Sequence, residues 1–130
     1  MGYRKVGLAY CWGMVALAET VREIFAANGI RAVGISCTSG GFSQQEVNEQ
    51  SSLPGVSCNP LSQAAQLNAE GVDLAVVIGL CMGHDILFNR EFSGDVTTLL
   101  VKDRPNSHNP LAGIEQYHAT LMEKDQNAEA

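Results

Sequence analysis

The stretch "DLAVVIGLC", residues 73–81, decides the fold of this chain of 130 residues. Its apolar residues run on almost without alternation, which is typical of a strand buried on both faces of a parallel sheet. Three other segments have the composition of strands, namely 4–11, 31–37 and 95–103. Segments with helical periodicity lie between and after them, at 14–28, 60–70, 84–92 and 110–124.

This alternation of strands and helices predicts an α/β fold, a single three-layer sandwich around a mostly parallel four-stranded sheet. Right-handed crossovers favour the strand order 2-1-3-4, which is flavodoxin-like or Rossmann-like. We expect one domain over residues 1–124 and a flexible tail at 125–130. Between the second strand and the next helix, Ser43 and Glu46 match a capping box and predict a short polar helix to about Gln50.

The composition limits the partners that this chain can have. The net charge is −6 and no cluster of lysine and arginine stands out, so neither nucleic acid nor an anionic membrane surface is expected. Residues 1–20 loosely match a signal peptide, but their removal would take away the predicted first strand. We therefore expect a cytoplasmic protein, and the sequence leaves its oligomeric state open.

The four cysteines indicate where the chemistry lies, because three of them end predicted strands. The carboxyl ends of parallel strands meet at one edge of a sheet, where such folds bind ligands. Four thiolates favour zinc, an iron–sulfur cluster or copper(I). The sequence therefore predicts a metal site, zinc or iron–sulfur, although its cysteines lack the close CxxC spacing. The predicted ligands are Cys11, Cys37, Cys58 and Cys81.

Two segments of similar sequence precede predicted helices, "SCNPLSQ" at 57–63 and "SHNPLAG" at 107–113. Asparagine suits the N-cap and proline the first helical position, so each Asn-Pro predicts a helix start. The positive end of a helix dipole stabilises a thiolate at Cys58 and favours the neutral, metal-binding imidazole at His108. We interpret both segments as aiming these two side chains at one crevice.

Six further residues are expected to line the ligand pocket or to support the metal ligands. They are His84, Asp85, Asp103, His108, Asn59 and Asn109. Asp85 could equally cap the helix that it begins, and Asp103 could pair with Lys102 or Arg104. Gly79 and Gly83 would let the backbone approach a ligand closely.

Two other functions fit the same residues. One is a thiol-dependent enzyme with Cys81 or Cys58 as nucleophile, a histidine as base and an aspartate that orients it. The histidine would be His84 or His108, and the aspartate Asp85 or Asp103. The other is a non-catalytic module that binds a small anion at the helix starts.

Four segments together carry a resemblance to a known family: "VGLAYCWG", "SCNPLSQAAQLNAEGVDLAVVIGLCMGHD", "LLVKDR" and "HNPLAGI". From about residue 3 to residue 117 the chain resembles the family called domain of unknown function 1847. The resemblance implies a small cytoplasmic α/β protein of bacteria or archaea with a metal site, and no established reaction. Its relatives often carry an additional cysteine-rich segment before the first strand, whereas this sequence begins at that strand. The family-like positions are Cys11, Cys37, Cys58, Cys81, His84, Asp85, Asp103 and His108.

Overall fold

The computed structural model describes residues 2–41, 43–47, 49–52 and 55–129. In this part of the chain, four strands form one sheet: β1 (Lys5–Tyr10), β2 (Arg31–Ser36), β3 (Leu74–Ile78) and β4 (Asp95–Leu100). Every neighbouring pair is parallel, and the strand order is β2-β1-β3-β4. The predicted α/β fold and strand order are therefore confirmed.

The helices of the described residues follow the strands in the predicted alternation. They are α1 (Val15–Ala27), α2 (Gln44–Val47), α3 (Pro60–Ala69), α4 (His84–Glu91) and α5 (Pro110–Glu129). The predicted capping box at α2 is confirmed, because the Ser43 and Glu46 amides each donate to the other residue's side chain, at 2.6 and 3.2 Å. The helix was expected to reach about Gln50, but α2 ends at Val47 and Gln50 lies in a turn.

Alternate residues of the central strands build the two apolar layers of the sandwich. Val76 of β3 faces α1, where it lies in one buried cluster with Leu8 of β1. Its neighbour Val77 faces the other way, into a cluster with Leu67 of α3 and Phe88 of α4. A strand that is buried on both faces has no face that contacts solvent, which explains the continuous apolar run in the sequence.

Helix α5 is packed differently from the others. None of its residues is buried, and the apolar side chains of Leu111, Ile114 and Tyr117 are 64%, 68% and 67% exposed. A cavity of about 520 Å³ lies between α5 and the end of β4, lined mostly by apolar side chains and by Lys102. In the described part of the chain, α5 included, we find no helix long and apolar enough to cross a membrane.

The end of α5 corrects one boundary of the sequence prediction. The helix was expected to end at residue 124, and the structure continues it to Glu129. Residues 125–129 contain no glycine or proline, so nothing in their backbone chemistry stops a helix already formed before them. The predicted tail is thus helical over these residues, and Ala130 lies outside the described part.

Candidate functional site

The four cysteines lie at the carboxyl edge of the sheet. Cys11 and Cys37 directly follow β1 and β2, and Cys81 comes three residues after β3 ends. Cys58 immediately precedes Asn59, the N-cap of α3. Cys11 and Cys37 are buried, Cys58 and Cys81 are half-buried, and all four are free thiols.

Cys37 and Cys58 form a directly facing pair of thiols. Their Sγ atoms are 3.6 Å apart. The backbone also joins the two loops, because the Asn59 N–H donates to the Cys37 carbonyl oxygen at 2.6 Å. The Trp12 N–H donates to Cys37 Sγ at 3.4 Å, so the start of the turn after β1 contacts this pair as well.

Cys11 and Cys81 are joined by a cation that the sequence analysis did not assign to the site. Lys102 Nζ donates to Cys11 Sγ at 3.1 Å and to Cys81 Sγ at 3.2 Å. Lys102 comes two residues after β4, so it lies at the same carboxyl edge as the thiols. Its position just beyond a predicted strand is the sequence signal that could have identified it.

The ionisation of these groups reflects their contacts. Burial raises the pKa of the Cys11 thiol, but the Gly13 N–H, Lys102 and Cys37 outweigh it, so the net pKa lies below the usual value. Burial is also the main reason that the pKa of Cys37 is raised to about 12. Cys58 and Cys11 raise this pKa further, and the hydrogen bond from the Trp12 N–H lowers it only in part. Burial lowers the pKa of Lys102, but the hydrogen bonds to Cys11 and Cys81 have the larger effect, so the net pKa lies above the usual value. Cys11 and Lys102 therefore favour a thiolate–ammonium pair, while Cys37 stays a thiol.

The sulfur contacts form a row of two groups at this edge, Cys58 with Cys37 and Cys11 with Lys102 and Cys81. We call it the thiol row. Within the described residues, no three side chains of His, Cys, Asp or Glu surround one point that could hold a metal ion. The structure thus places the four predicted ligands next to each other along the sheet edge, and does not arrange them as a closed ligand shell.

A buried glutamine, which was also absent from the sequence prediction, bonds to the strands that lead into the thiol row. Gln63 of α3 is fully buried, and its Nε2 donates to the carbonyl oxygens of Ile35 at 2.7 Å and Tyr10 at 3.2 Å. Tyr10 ends β1 directly before Cys11, and Ile35 of β2 lies two residues before Cys37. Its Oε1 is buried without a hydrogen-bond partner in the structure.

The asparagines and Asp85 stabilise the starts of helices. Asn59 Oδ1 accepts from the Ser62 N–H at 3.0 Å, and Asn109 Oδ1 from the Ala112 N–H at 3.3 Å, so both predicted caps are confirmed. Asp85 Oδ1 accepts from the N–H groups of Gly83 and Ile86, at 3.0 and 2.9 Å. These amides are therefore already bonded to side chains, which leaves them less able to bind an anion.

The histidines have hydrogen-bond surroundings of their own. His108 Nδ1 accepts from the Asp103 N–H at 3.0 Å, and the buried His84 Nδ1 has no hydrogen-bond partner among the described residues. No hydrogen bond joins either imidazole to a cysteine in the described part of the chain. The Asp103 carboxylate accepts from Asn106 Nδ2 with both oxygens, each at 3.0 Å, and makes no ion pair with Lys102 or Arg104 among the described residues.

Two glycines were expected to let a ligand approach the backbone closely, and each of them has a structural role. Gly79 has a φ of +66°, and a Cβ added there would lie 3.0 Å from Met14 Cγ, so the Met14 side chain occupies that space. Gly83 is the N-cap of α4 with a φ of +92°. Both positions favour glycine because of their backbone conformation.

Comparison with known proteins adds a family but no activity. The family described as protein of unknown function DUF1847 matches residues 1–99. An uncharacterised protein of Methanocaldococcus jannaschii is 35% identical over 117 residues, which cover 88% of this chain and 60% of that relative. The chain therefore spans about 60% of the length of this curated relative. No solved structure matches it.

Proposed function

This chain belongs to the DUF1847 family. We propose that it is a protein of the cytoplasm and that it binds either zinc or an iron–sulfur cluster. The proposed ligands are Cys11, Cys37, Cys58 and Cys81. The observation that carries the proposal is the thiol row, in which two groups of contacts hold all four sulfurs at one sheet edge. Ligands bind at this edge in open parallel sheets, close to where the strand order reverses between β1 and β3.

The donor atoms fit such a group in type and, for one pair, in spacing. Two thiolates on a tetrahedral zinc, each about 2.3 Å from the metal, lie about 3.8 Å apart. The 3.6 Å between Cys37 Sγ and Cys58 Sγ is close to that separation. Cys11 and Cys81 would have to turn their sulfurs toward the same point, because no three ligands surround one position in the structure.

The surrounding groups would support a cluster of thiolates. Lys102 would offset part of the negative charge, since its ammonium already contacts Cys11 and Cys81. The Trp12 N–H, which points at Cys37 Sγ, is the kind of donor that stabilises a metal-bound sulfur. When bound, zinc would hold the loops of the edge together, and an iron–sulfur cluster would carry an electron.

The test is elemental analysis and an absorption spectrum of protein purified without oxygen. We expect a stoichiometric metal, and its loss when any one of the four cysteines is replaced by serine. A matched control is His118→Gln, which changes a potential ligand on the exposed helix α5. An unchanged metal content in a well-folded variant lacking all four thiols would contradict the proposal, and so would a metal-free wild-type protein.

A second candidate is a thiol-dependent enzyme, and the contact between Lys102 and Cys11 favours it. An ammonium next to a thiol stabilises the thiolate, which is the nucleophilic form. In this candidate Lys102 replaces the histidines predicted as partners of the nucleophile. Metal-free, folded protein with a thiol that ionises at unusually low pH would favour this function, and an ordinary titration of all four thiols would count against it.

A further inference from the structure

The thiol row consists of two pairs with different contacts. Lys102 links Cys11 to Cys81, and its Nζ contacts both sulfurs. Cys37 and Cys58 instead face each other directly, with Sγ atoms 3.6 Å apart. The hydrogen bond from the Asn59 N–H to the Cys37 carbonyl fixes the backbones of the two loops beside each other. Only the second pair thus combines a direct sulfur contact with a backbone link between its loops.

We propose that Cys37 and Cys58 form a reversible disulfide when the protein meets a peroxide, and that this bond controls the metal site. A disulfide has sulfurs about 2.0 Å apart, so rotation of the side chains must bring these two about 1.6 Å closer. The backbone link keeps the two cysteines within reach of each other during that rotation. The disulfide itself goes beyond the proposed function, and only its effect on metal binding rests on that function.

The exposure of the two thiols determines which of them reacts with the peroxide first. Cys58 is half-buried and open to a small oxidant, whereas Cys37 is 2% exposed. The Cys58 thiol releases its proton, the resulting thiolate attacks one oxygen of hydrogen peroxide, and the O–O bond breaks. The leaving hydroxide takes up that proton, so a sulfenic acid and one water form. The Cys37 sulfur then attacks the sulfenic sulfur, the S–S bond forms, and the hydroxyl leaves as a second water with the Cys37 proton. Two thiols and one peroxide thus give one disulfide and two waters.

The disulfide would change the metal site without unfolding it. Both sulfurs belong to the proposed ligand set, and a sulfur in a disulfide is no longer a thiolate ligand. Cys11 and Cys81 keep their hydrogen bonds with Lys102, because neither bond involves Cys37 or Cys58. A dithiol reductant returns both thiols by exchange, because it supplies two electrons in place of those that the peroxide removed and itself becomes a disulfide.

The test treats metal-free protein with one equivalent of hydrogen peroxide and maps the products by mass spectrometry. Cleavage after glutamate places each cysteine in its own peptide, with Cys37 in residues 24–46 and Cys58 in residues 50–70. We expect these two peptides to become linked with the loss of two hydrogens, and to separate again after reduction. Cys81→Ser is the matched control and should form the same link, whereas Cys58→Ser should not.

Three results would overturn the proposal. They are a dominant link between Cys11 and Cys37, a link that involves Cys81, and oxidation of Cys58 to a sulfinic acid without any link. Circular dichroism of each variant shows that it is folded before oxidation. A zinc titration of the reduced and the linked protein separates the two proposals. If the reduced protein binds no zinc and takes up no iron–sulfur cluster on anaerobic reconstitution, the proposed function fails, while the disulfide is tested by the peptide map alone.

Discussion

Segments 57–63 and 107–113 begin two helices with the same local chemistry, but the two helices are packed differently. In both, an asparagine side chain caps the helix and a proline occupies the first helical position. Yet α3 buries four of its ten residues, whereas α5 buries none of its twenty. Local sequence therefore determines that a helix starts here, and contacts beyond it determine whether that helix becomes part of the core.

The segments differ in their last residue and in the backbone at their start. The seventh residue is Gln63 in one segment and Gly113 in the other. Gln63 bonds the ends of β1 and β2 and holds α3 on the sheet, and a glycine has no side chain that could do this. Before α5, Ser107 and His108 have left-handed φ angles of 52° and 62°, which redirect the chain.

The same comparison shows that Cys58 and His108 make different contacts in spite of their similar sequence surroundings. The Cys58 sulfur contacts Cys37, while the His108 ring turns back to the backbone of Asp103. Among the described non-glycine residues, positive φ angles occur only at Ser107 and His108, so Cys58 is not in the backbone conformation of its counterpart. An equivalent position in the sequence is therefore not an equivalent position in the structure.

The largest expected difference lies in the apolar residues of the two helices. Leu67 of α3 is fully buried, so Leu67→Ala should lower the free energy of unfolding by about 2–5 kcal/mol. Leu121 of α5 is 40% exposed, and Leu121→Ala should cost less than about 0.5 kcal/mol. Urea unfolding followed by circular dichroism measures both. Equal losses would mean that α5 is packed as tightly as α3.

A smaller effect is expected where Gln63 joins helix and sheet. Gln63→Ala removes the buried amide that donates to the Ile35 and Tyr10 carbonyls and should lower the free energy of unfolding by about 1–3 kcal/mol. Gln66→Ala is the control, because it removes an amide from the exposed side of the same helix. A loss no greater than that of the control would show that Gln63 does not hold α3 in place.

The smallest effect compares the two caps. Asn59→Ala should lower the free energy of unfolding by about 1 kcal/mol, because α3 is part of the core. Asn109→Ala removes a similar cap from α5, where fraying exposes no buried residue, so only the helical signal should fall. Urea midpoints and the ellipticity at low urea distinguish these outcomes. An equal shift of both midpoints would contradict the difference between the helices.

Much of the fold was predictable because its determinants are local or periodic. The apolar run of β3, the capping box at α2 and the two Asn-Pro helix starts each act within a few residues. Strand order then follows from the handedness of the crossovers. The end of α5 was not predictable in this way, because a polar segment without glycine or proline fits either a helix or a tail.

The site was predictable in outline, since strand ends placed the cysteines at one edge. The contacts of Lys102 and Gln63 were not, because both residue types usually lie at the surface, and their partners come from distant strands. The prediction that a metal binds the four thiols is untested by the geometry, which shows their proximity and not a ligand shell. Asp103 and His108 were predicted to line the ligand pocket, and the structure gives both of them hydrogen-bond partners within their own loop.

The thiol row has a consequence for how the sheet edge opens to solvent. The N–H groups of Cys11 and Cys37 donate to the carbonyls of Ile78 and Tyr10, so they are the last cross-strand bonds before the loops begin. Such terminal bonds ordinarily break first and exchange their hydrogens quickly. Here the side chains extend the cross-strand contacts beyond the last backbone bond. These two amides should therefore exchange as slowly as those in the middle of β1, with the edge opening as part of the core.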